Sequence, residues 1–295
     1  MECLYPVMIQ DKDGTGRTMS VPCGRCINCR VNKSSEWTNR IMCEASCHKH
    51  VYFVTLTYAP EHLPKRGTLI KKDLQDFFKR LRKRVGKFRY YAVGEYGEKY
   101  CRPHFHYISF GVPFNKLNRA VREAWLFGFT RIDRFNIATA RYVARYVTKK
   151  LTGDKASLYQ RKGIIPEFSL MSRRPGIGLD YFKKKMQDIK DRGCLIISGK
   201  KAPIPRYFYN KIEFNEEEIK ESEKLNTNNW KKKLLSHLQM SGYEVPNLEP
   251  EKVNILKIIT CKNVDVKKVY DFGKEIAKAR ALRNEKRIEL KKGKL

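Results

Sequence analysis

Residues 51 to 135 contain an ordered series of hydrophobic periodicities that limits how this part of the chain can fold. Four segments are rich in β-branched and aromatic residues, as strands are, and two carry apolar residues at helical spacing. The strands are predicted at 51–58, 88–95, 104–110 and 129–135, and the helices at 71–85 and 115–126. The predicted order is strand, helix, strand, strand, helix, strand.

Two split βαβ units in this order form an antiparallel sheet with its helices on one face. We therefore predict an α+β fold of the ferredoxin-like or RRM-like type, a βαββαβ palm whose first and third strands lie side by side at the centre. Such a sheet leaves its other face open, and RNA-recognition modules stack bases on aromatic residues of that face. The third strand would therefore be central and accessible.

The third predicted strand carries two histidines on one face, because His104 and His106 are two residues apart. Neutral imidazole is the commonest protein ligand for metals, so the pair can bind one ion. Two histidines that only pack on a sheet face are the alternative. A noncatalytic RNA binder would keep aromatic residues at these positions, and the histidines therefore favour metal chemistry over base stacking.

A hard divalent ion prefers oxygen ligands, so a carboxylate should complete the site. Glu95, at the end of the neighbouring strand, is the best-placed candidate, and Glu98 in the following loop is the alternative. By ligand type alone, zinc, manganese or iron would fit as well as magnesium. The sequence leaves the identity of the ion open.

Residues 136–150 read as a helix capped by Asn136. Tyr142 and Tyr146 are four residues apart, so their phenols share one face of this helix. A basic row lies beside them, formed by Arg141, Arg145 and Lys149. Two tyrosines that pack their rings on the sheet are the ordinary explanation, but beside a histidine pair they also suggest two nucleophiles presented together.

The chain is strongly basic, with 62 lysines and arginines against 31 acidic residues and a formal charge of +31 over 295 residues. A polyanionic partner is the simplest explanation of this charge. No apolar run reaches the roughly 18 residues that span a bilayer, and the N-terminus does not resemble a signal peptide. Nucleic acid in a cytoplasm is therefore favoured over lipid.

Nine cysteines are unevenly placed along the chain, and their odd number argues against a secreted disulfide framework. Cys23, Cys26 and Cys29 are closely spaced thiols, and Cys43 and Cys47 offer further ligands for a tetrahedral zinc site. We expect such a zinc ion to be structural. Reduced, partly buried thiols without a metal are the alternative.

Three of these segments together resemble the motifs of the HUH endonucleases, the rolling-circle replication initiators, and in particular those of single-stranded DNA microviruses. The segments are FVTLTY, RPHFH and YVARYVTKK. PCGRCINC, GEYGE and the loop at 172–178 are similar to the gokushovirus branch, and the resemblance covers about residues 20–180. It implies a metal-dependent enzyme that nicks one DNA strand at a viral origin, with a phosphotyrosine link that is later rejoined.

The same resemblance implies a role for each matching residue. His104 and His106 would bind Mg²⁺ or Mn²⁺, with Glu95 as the third ligand, and Tyr142 and Tyr146 would attack the phosphodiester. A phenol has a pKa near 10, so the ion, with Lys149 or Lys150 nearby, would favour the phenolate. The product would be a 5′-phosphotyrosine and a free 3′-hydroxyl.

The whole chain is expected to divide into four parts. They are a cysteine-rich segment at 1–50, an endonuclease core at 51–155, a basic loop and docking region at 156–210 and a helical, basic region at 211–295. DNA-binding side chains are expected at Arg141, Arg145, Lys150, Arg173 and Arg174.

Partners and alternatives follow from the motifs. Single-stranded and origin DNA is the expected ligand, in the cytoplasm of a host bacterium. No G-x-x-x-x-G-K-[ST] loop occurs in the sequence, so a host helicase and DNA polymerase are expected partners. A plasmid initiator or a transposase of the same HUH group would share the chemistry. A noncatalytic zinc-containing nucleic-acid-binding protein would explain the charge and the cysteines alone.

Overall fold

The structure is a computed structural model, and it describes residues 3–10, 18–97, 100–146, 150, 156–209, 235–236 and 239–240. The chain divides into two compact units, Met1–Cys29, Lys190–Gly193 and Asn210–Lys291 in the smaller, and Arg30–Ile189, Cys194–Tyr209 and Lys292–Leu295 in the larger. Apart from four residues, the predicted helical region 211–295 lies outside the described residues. None of the described helices is long and apolar enough to span a membrane.

The described elements follow one another in this order: β1 (Val7–Gln10), β2 (Thr18–Val21), α1 (Ile27–Ala45), β3 (Val51–Tyr58), α2 (Lys71–Val85), β4 (Arg89–Tyr96), β5 (Pro103–Phe110), α3 (Phe114–Ala124), β6 (Gly128–Arg134), α4 (Ile137–Ala144), α5 (Ser157–Lys162), β7 (Phe168–Met171), α6 (Leu179–Lys184), α7 (Met186–Arg192), β8 (Leu195–Ile197), β9 (Lys200–Ala202) and α8 (Arg206–Tyr209). Two short 3₁₀ turns, Pro60–His62 and Lys65–Gly67, connect β3 to α2.

The larger unit is built on a five-stranded antiparallel sheet in the order β6-β3-β5-β4-β7. The first four strands follow the predicted βαββαβ order, and β3 and β5 lie side by side at the centre. The α+β palm is therefore confirmed. The edge strand β7, which pairs with β4, is an addition that the sequence pattern did not predict.

One face of the sheet is covered by α2 and α3, as the helical spacing predicts. The apolar stripe of α2 includes Leu74, Phe77 and Phe78, all fully buried. Phe78 stacks on Tyr90 with ring centroids 3.9 Å apart, and Phe77 packs on Tyr107 of β5. Burial of such side chains stabilises the fold by about 1.5–3 kcal/mol each, so this face anchors the sheet.

The second face carries the histidines, and the expectation that it is open is wrong for most of its length. Trp37 and Ile41 of α1 and Val143 of α4 pack there against Ile108 and Phe110 of β5. These residues form a second buried cluster because the strands bear apolar side chains on both faces. Only the end of this face around His104 is partly exposed.

A buried carboxylate ties α1 to β4 and to the loop after β7. Glu44 forms an ion pair with Arg89, its Oε1 lies 3.1 Å from Nε2 of His48, and its Oε2 accepts a hydrogen bond of 2.7 Å from the amide of Gly178. Burial raises the pKa of Glu44, but the hydrogen bonds of His48, Arg89 and Gly178 outweigh it and lower the pKa to about 2. Glu44 is therefore ionised in the folded chain.

This carboxylate should make the fold acid-sensitive. Because its pKa falls from 4.5 to about 2 on folding, its contribution is fully present above pH 4.5 and is lost as the pH falls towards 2. The contribution is on the order of 3 kcal/mol. We expect Glu44→Gln to lower stability to urea at pH 7 and to flatten its dependence on pH between 5 and 2. Glu123→Gln, at an exposed ion pair, is the control and should change little.

Candidate metal and nucleophile site

Three side chains of β4 and β5 meet at one point on the partly exposed end of the second face. In the antiparallel register Glu95 is opposite His104, and Val93 is opposite His106, so the three side chains share a face. Oε1 of Glu95 lies 3.3 Å from Nε2 of His104 and 3.4 Å from Nε2 of His106. All three ligand atoms lie within 4.8 Å of one another.

The second nitrogen of each imidazole is held by a neighbour. Nδ1 of His106 lies 2.9 Å from Oγ1 of Thr55, its cross-strand partner on β3, and Nδ1 of His104 lies 3.0 Å from the carbonyl oxygen of Arg102. Since a carbonyl only accepts, Nδ1 of a neutral His104 carries the proton and Nε2 presents a lone pair towards Glu95. Outer partners of this kind orient histidines that bind metals.

The donor set fits one divalent ion. Ligand atoms bound to one ion at about 2.0–2.2 Å are separated by roughly 3 Å or slightly more, which agrees with the observed distances. Glu95 is 1% exposed, and a buried carboxylate that faces imidazole lone pairs is stabilised by a shared cation. Glu95, His104 and His106 can therefore hold a metal ion, while Glu98 lies outside the described residues.

Tyr142 reaches the same carboxylate from α4. Its hydroxyl donates a hydrogen bond of 2.7 Å to Oε1 of Glu95, and its ring meets His106 edge-on at 5.0 Å. The helix begins at Asn136, whose side chain accepts a hydrogen bond from the amide of Thr139 while the Thr139 hydroxyl accepts one from the amide of Asn136. This capping box sets the position of Tyr142, six residues further on.

Tyr146 has different surroundings, although it lies only four residues beyond Tyr142. Its hydroxyl accepts a hydrogen bond of 2.9 Å from Oγ of Ser169 on β7. Tyr91 lies close by, and burial together with the neighbouring Tyr146 raises the pKa of Tyr91 well above its usual value of 10. The structure therefore brings Tyr142 to the carboxylate and Tyr146 to the edge strand.

The basic residues expected near the site are only partly described. The described part of the helix ends at Ala144, and Lys149 lies outside the described residues. Arg141 and Lys150 are exposed, whereas Arg145 is half-buried. The carbonyl oxygen of Lys150 accepts a hydrogen bond of 2.7 Å from Nη2 of Arg30.

The edge strand β6 extends the histidine face with two exposed side chains that the sequence did not single out. Phe129 is opposite Thr57, which is opposite His104, and Arg131 occupies the equivalent position in the row of His106. Phe129 is 65% exposed, and Arg131 is exposed with an ion pair of 3.0 Å to Asp133. An aromatic ring and a guanidinium thus lie in line with the candidate metal ligands.

The basic loop at 172–178 is anchored by its backbone. Nε of Arg40 donates a hydrogen bond of 3.1 Å to the carbonyl oxygen of Ile177, and the amide of Gly178 binds Glu44. Gly178 has a φ of +81°, and a Cβ there would lie 2.7 Å from the carbonyl oxygen of Arg40. Arg173 and Arg174 are exposed, so their side chains are what this loop offers to a ligand.

The cysteines predicted to bind zinc do not all come together. Cys23, Cys26 and Cys29 lie close to one another, and the fourth member of their group is Cys3. Cys43 follows Cys29 by fourteen residues in α1, which at 1.5 Å per residue is about 21 Å, and Cys47 lies beyond the helix. Burial raises the pKa of Cys43 to about 12, as in an unreactive core thiol.

Comparisons with known proteins agree on one family. The family model of the replication-associated proteins of the ORF2 type matches residues 51–151, the part that carries the sheet, the histidines and α4. The chain is 35% identical over 224 residues to Replication-associated protein ORF2 of Spiroplasma virus 4, which is 66% of this chain and 68% of that protein. No solved structure matches.

Two further relatives carry similar names. Replication-associated protein VP4 of Bdellovibrio phage phiMH2K is 28% identical over 215 residues, 65% of this chain and 67% of that protein. Replication-associated protein ORF4 of Chlamydia phage 1 is 28% identical over 217 residues, 64% and 52% of the two chains. This chain belongs to the family of replication-associated proteins, and its resemblance to phage replication proteins is confirmed.

Proposed function

We propose that this protein initiates rolling-circle replication by cutting one DNA strand at a viral origin with a tyrosine nucleophile and later rejoining the displaced strand. One observation carries the proposal: the Tyr142 hydroxyl is hydrogen-bonded to the carboxylate oxygen that also contacts both histidines. A nucleophile and a metal-binding group within reach of a single phosphate are what this reaction requires.

Glu95, His104 and His106 would hold Mg²⁺ or Mn²⁺. When bound, that ion would polarise a phosphate oxygen and favour the phenolate of a nearby tyrosine. The protein's own contribution is orientation. Glu95 accepts the hydrogen bond of the Tyr142 phenol, while Thr55 and the Arg102 carbonyl keep the imidazoles turned towards it.

The chemical step exchanges one phosphodiester for another. The Tyr142 oxygen forms a bond to phosphorus as the bond from phosphorus to the 3′-oxygen breaks, which leaves a 5′-phosphotyrosine and a free 3′-hydroxyl. The phenol gives up one proton and the leaving oxygen takes up one, so no nucleotide is consumed. The exchange is close to balanced and can run backwards to rejoin ends.

Tyr146 is the second nucleophile in this proposal. Its hydroxyl is held by Ser169 in the structure, so Tyr142 is the residue positioned for the first attack. When a full circle has been displaced, Tyr146 would cut the regenerated origin while Tyr142 releases its strand. Lys149 and Lys150 would offset charge on the phosphates, and a host helicase and DNA polymerase in the bacterial cytoplasm would extend the 3′-hydroxyl.

The exposed pair Phe129 and Arg131 supports a path for single-stranded DNA towards the histidines. Base stacking on an aromatic side chain is worth about 1–3 kcal/mol, so Phe129→Ala should weaken binding of a single-stranded oligonucleotide roughly 5- to 150-fold. Fluorescence anisotropy at fixed salt measures this change. Phe114→Ala is the matched control, because Phe114 is also exposed but packs near Tyr52 on the other side of the sheet. Equal affinity of the Phe129 variant and the wild type would remove Phe129 from the DNA path.

The function itself is tested by covalent capture. The purified chain is incubated with a single-stranded oligonucleotide from the cognate origin and Mg²⁺ or Mn²⁺, denatured and separated by size. The proposal expects a protein–DNA adduct that survives denaturation and needs the metal. A noncatalytic nucleic-acid-binding protein would bind the oligonucleotide but yield no adduct, whereas a plasmid initiator or a transposase would yield one with a different DNA sequence.

A further inference from the structure

Four cysteines converge in the smaller unit, at a place that the nicking reaction does not use. Cys3 precedes β1, Cys23 follows β2, and Cys26 and Cys29 lie at the start of α1. Because β1 and β2 pair antiparallel with Val7 opposite Val21, the chain enters and leaves this hairpin at the same end. The hairpin thereby brings Cys3 to a motif that is twenty residues further along the sequence.

The sulfur positions fit a single tetrahedral ion. Sγ of Cys3 lies 3.9 Å from Sγ of Cys26, Sγ of Cys23 lies 4.0 Å from Sγ of Cys29, and all four sulfurs lie within 4.8 Å of one another. Four thiolates about 2.3 Å from one zinc ion would be separated by roughly 3.8 Å. A disulfide needs about 2.05 Å, so these separations do not describe bonded pairs.

Backbone amides point at the sulfurs. The amide of Cys23 donates to Sγ of Cys3 at 3.2 Å, and the amides of Arg25 and Cys26 donate to Sγ of Cys23 at 3.4 and 3.3 Å. Hydrogen bonds of this kind orient metal-bound thiolates and offset their charge. Cys29 also lies in the first turn of α1, where the helix dipole favours negative charge.

We propose that Cys3, Cys23, Cys26 and Cys29 bind one Zn²⁺ and that this ion joins the β1-β2 hairpin to the start of α1. Four soft thiolate ligands select zinc over magnesium or manganese, and a closed four-ligand site leaves no position for a substrate. A four-iron cluster would hold the sulfurs further apart, since each thiolate would bind a different iron. The site is therefore structural and independent of the proposed nicking activity.

The experiment must separate this ion from any metal at the histidines. The full chain is therefore purified as the His104→Ala/His106→Ala variant without added metal, and its zinc and iron are measured by inductively coupled plasma mass spectrometry. We expect about one zinc per chain. In this background Cys3→Ser and Cys26→Ser should each lower the zinc content at least fivefold, while Cys101→Ser, at an exposed cysteine outside the group, should not.

Two further measurements keep the test decisive if a serine variant does not fold. Cys3→His, which preserves a zinc ligand, should retain the metal, and replacement by Co²⁺ should give the thiolate-to-metal absorption of a tetrahedral four-sulfur site. Iron in place of zinc, no bound metal in the folded double-histidine variant, or full zinc content in Cys3→Ser would each overturn the proposal. None of these results would bear on covalent capture by Tyr142.

Discussion

Replacing Tyr142 by phenylalanine should reduce cleavage of a single-stranded origin oligonucleotide by about 10³-fold or more, while DNA affinity and thermal stability stay close to those of the wild type. The change removes one hydroxyl, the group that is hydrogen-bonded to Glu95, and leaves the ring packed against His106 and Phe53. The core cluster on this face should therefore survive, and the loss should fall on the chemical step alone.

Single-turnover cleavage of an end-labelled oligonucleotide measures this loss. Tyr52→Phe is the matched control, because Tyr52 is a partly buried tyrosine packed against the cluster on the opposite face of the sheet. Tyr146→Phe should leave the first cleavage within about tenfold of the wild type and should impair joining, since its hydroxyl binds Ser169. Cleavage by Tyr142→Phe at the wild-type rate would show that another group attacks first.

Replacing either His104 or His106 by alanine should reduce cleavage by at least about 100-fold, since loss of a partner that merely orients a ligand already costs 10- to 100-fold. DNA affinity should change little, because electrostatic contacts with phosphates supply most of the binding and the chain carries a formal charge of +31. The expected signature is therefore loss of catalysis with retention of binding.

Titration with Mn²⁺ under single-turnover conditions checks this signature, together with a salt titration of DNA binding. His62→Ala is the control, at an exposed histidine in the turn after β3. Cleavage that falls in parallel with DNA affinity would indicate that the histidines hold the sheet or the DNA in place, and the candidate metal site would then have no catalytic role.

Local periodicity predicts much of this fold and of the candidate site. The strand that bears the histidines and the amphipathic helix α2 are both specified by short-range spacing, which is independent of how the chain folds elsewhere. The position of Glu95 opposite His104 follows from one antiparallel pairing between adjacent strands. These features could be predicted because each depends on few residues.

Other features depend on long-range contacts that a single sequence does not encode in its spacing. Strand β7 has only four residues, and it is a strand because its register with β4 satisfies the backbone there. Cys3 joins the other cysteines only after β1 and β2 have paired. The covering of the second face by α1 and the alignment of Phe129 with His104 likewise require knowledge of which elements are neighbours.

The most direct test of the central claim is to identify which residue becomes joined to DNA. Wild-type protein is reacted with single-stranded origin oligonucleotide and Mn²⁺, digested with protease and nuclease, and examined by mass spectrometry. The account predicts a nucleotide attached through its 5′-phosphate to Tyr142. Strand cleavage accompanied by no linked peptide, or by a link to a residue other than Tyr142 or Tyr146, would contradict it.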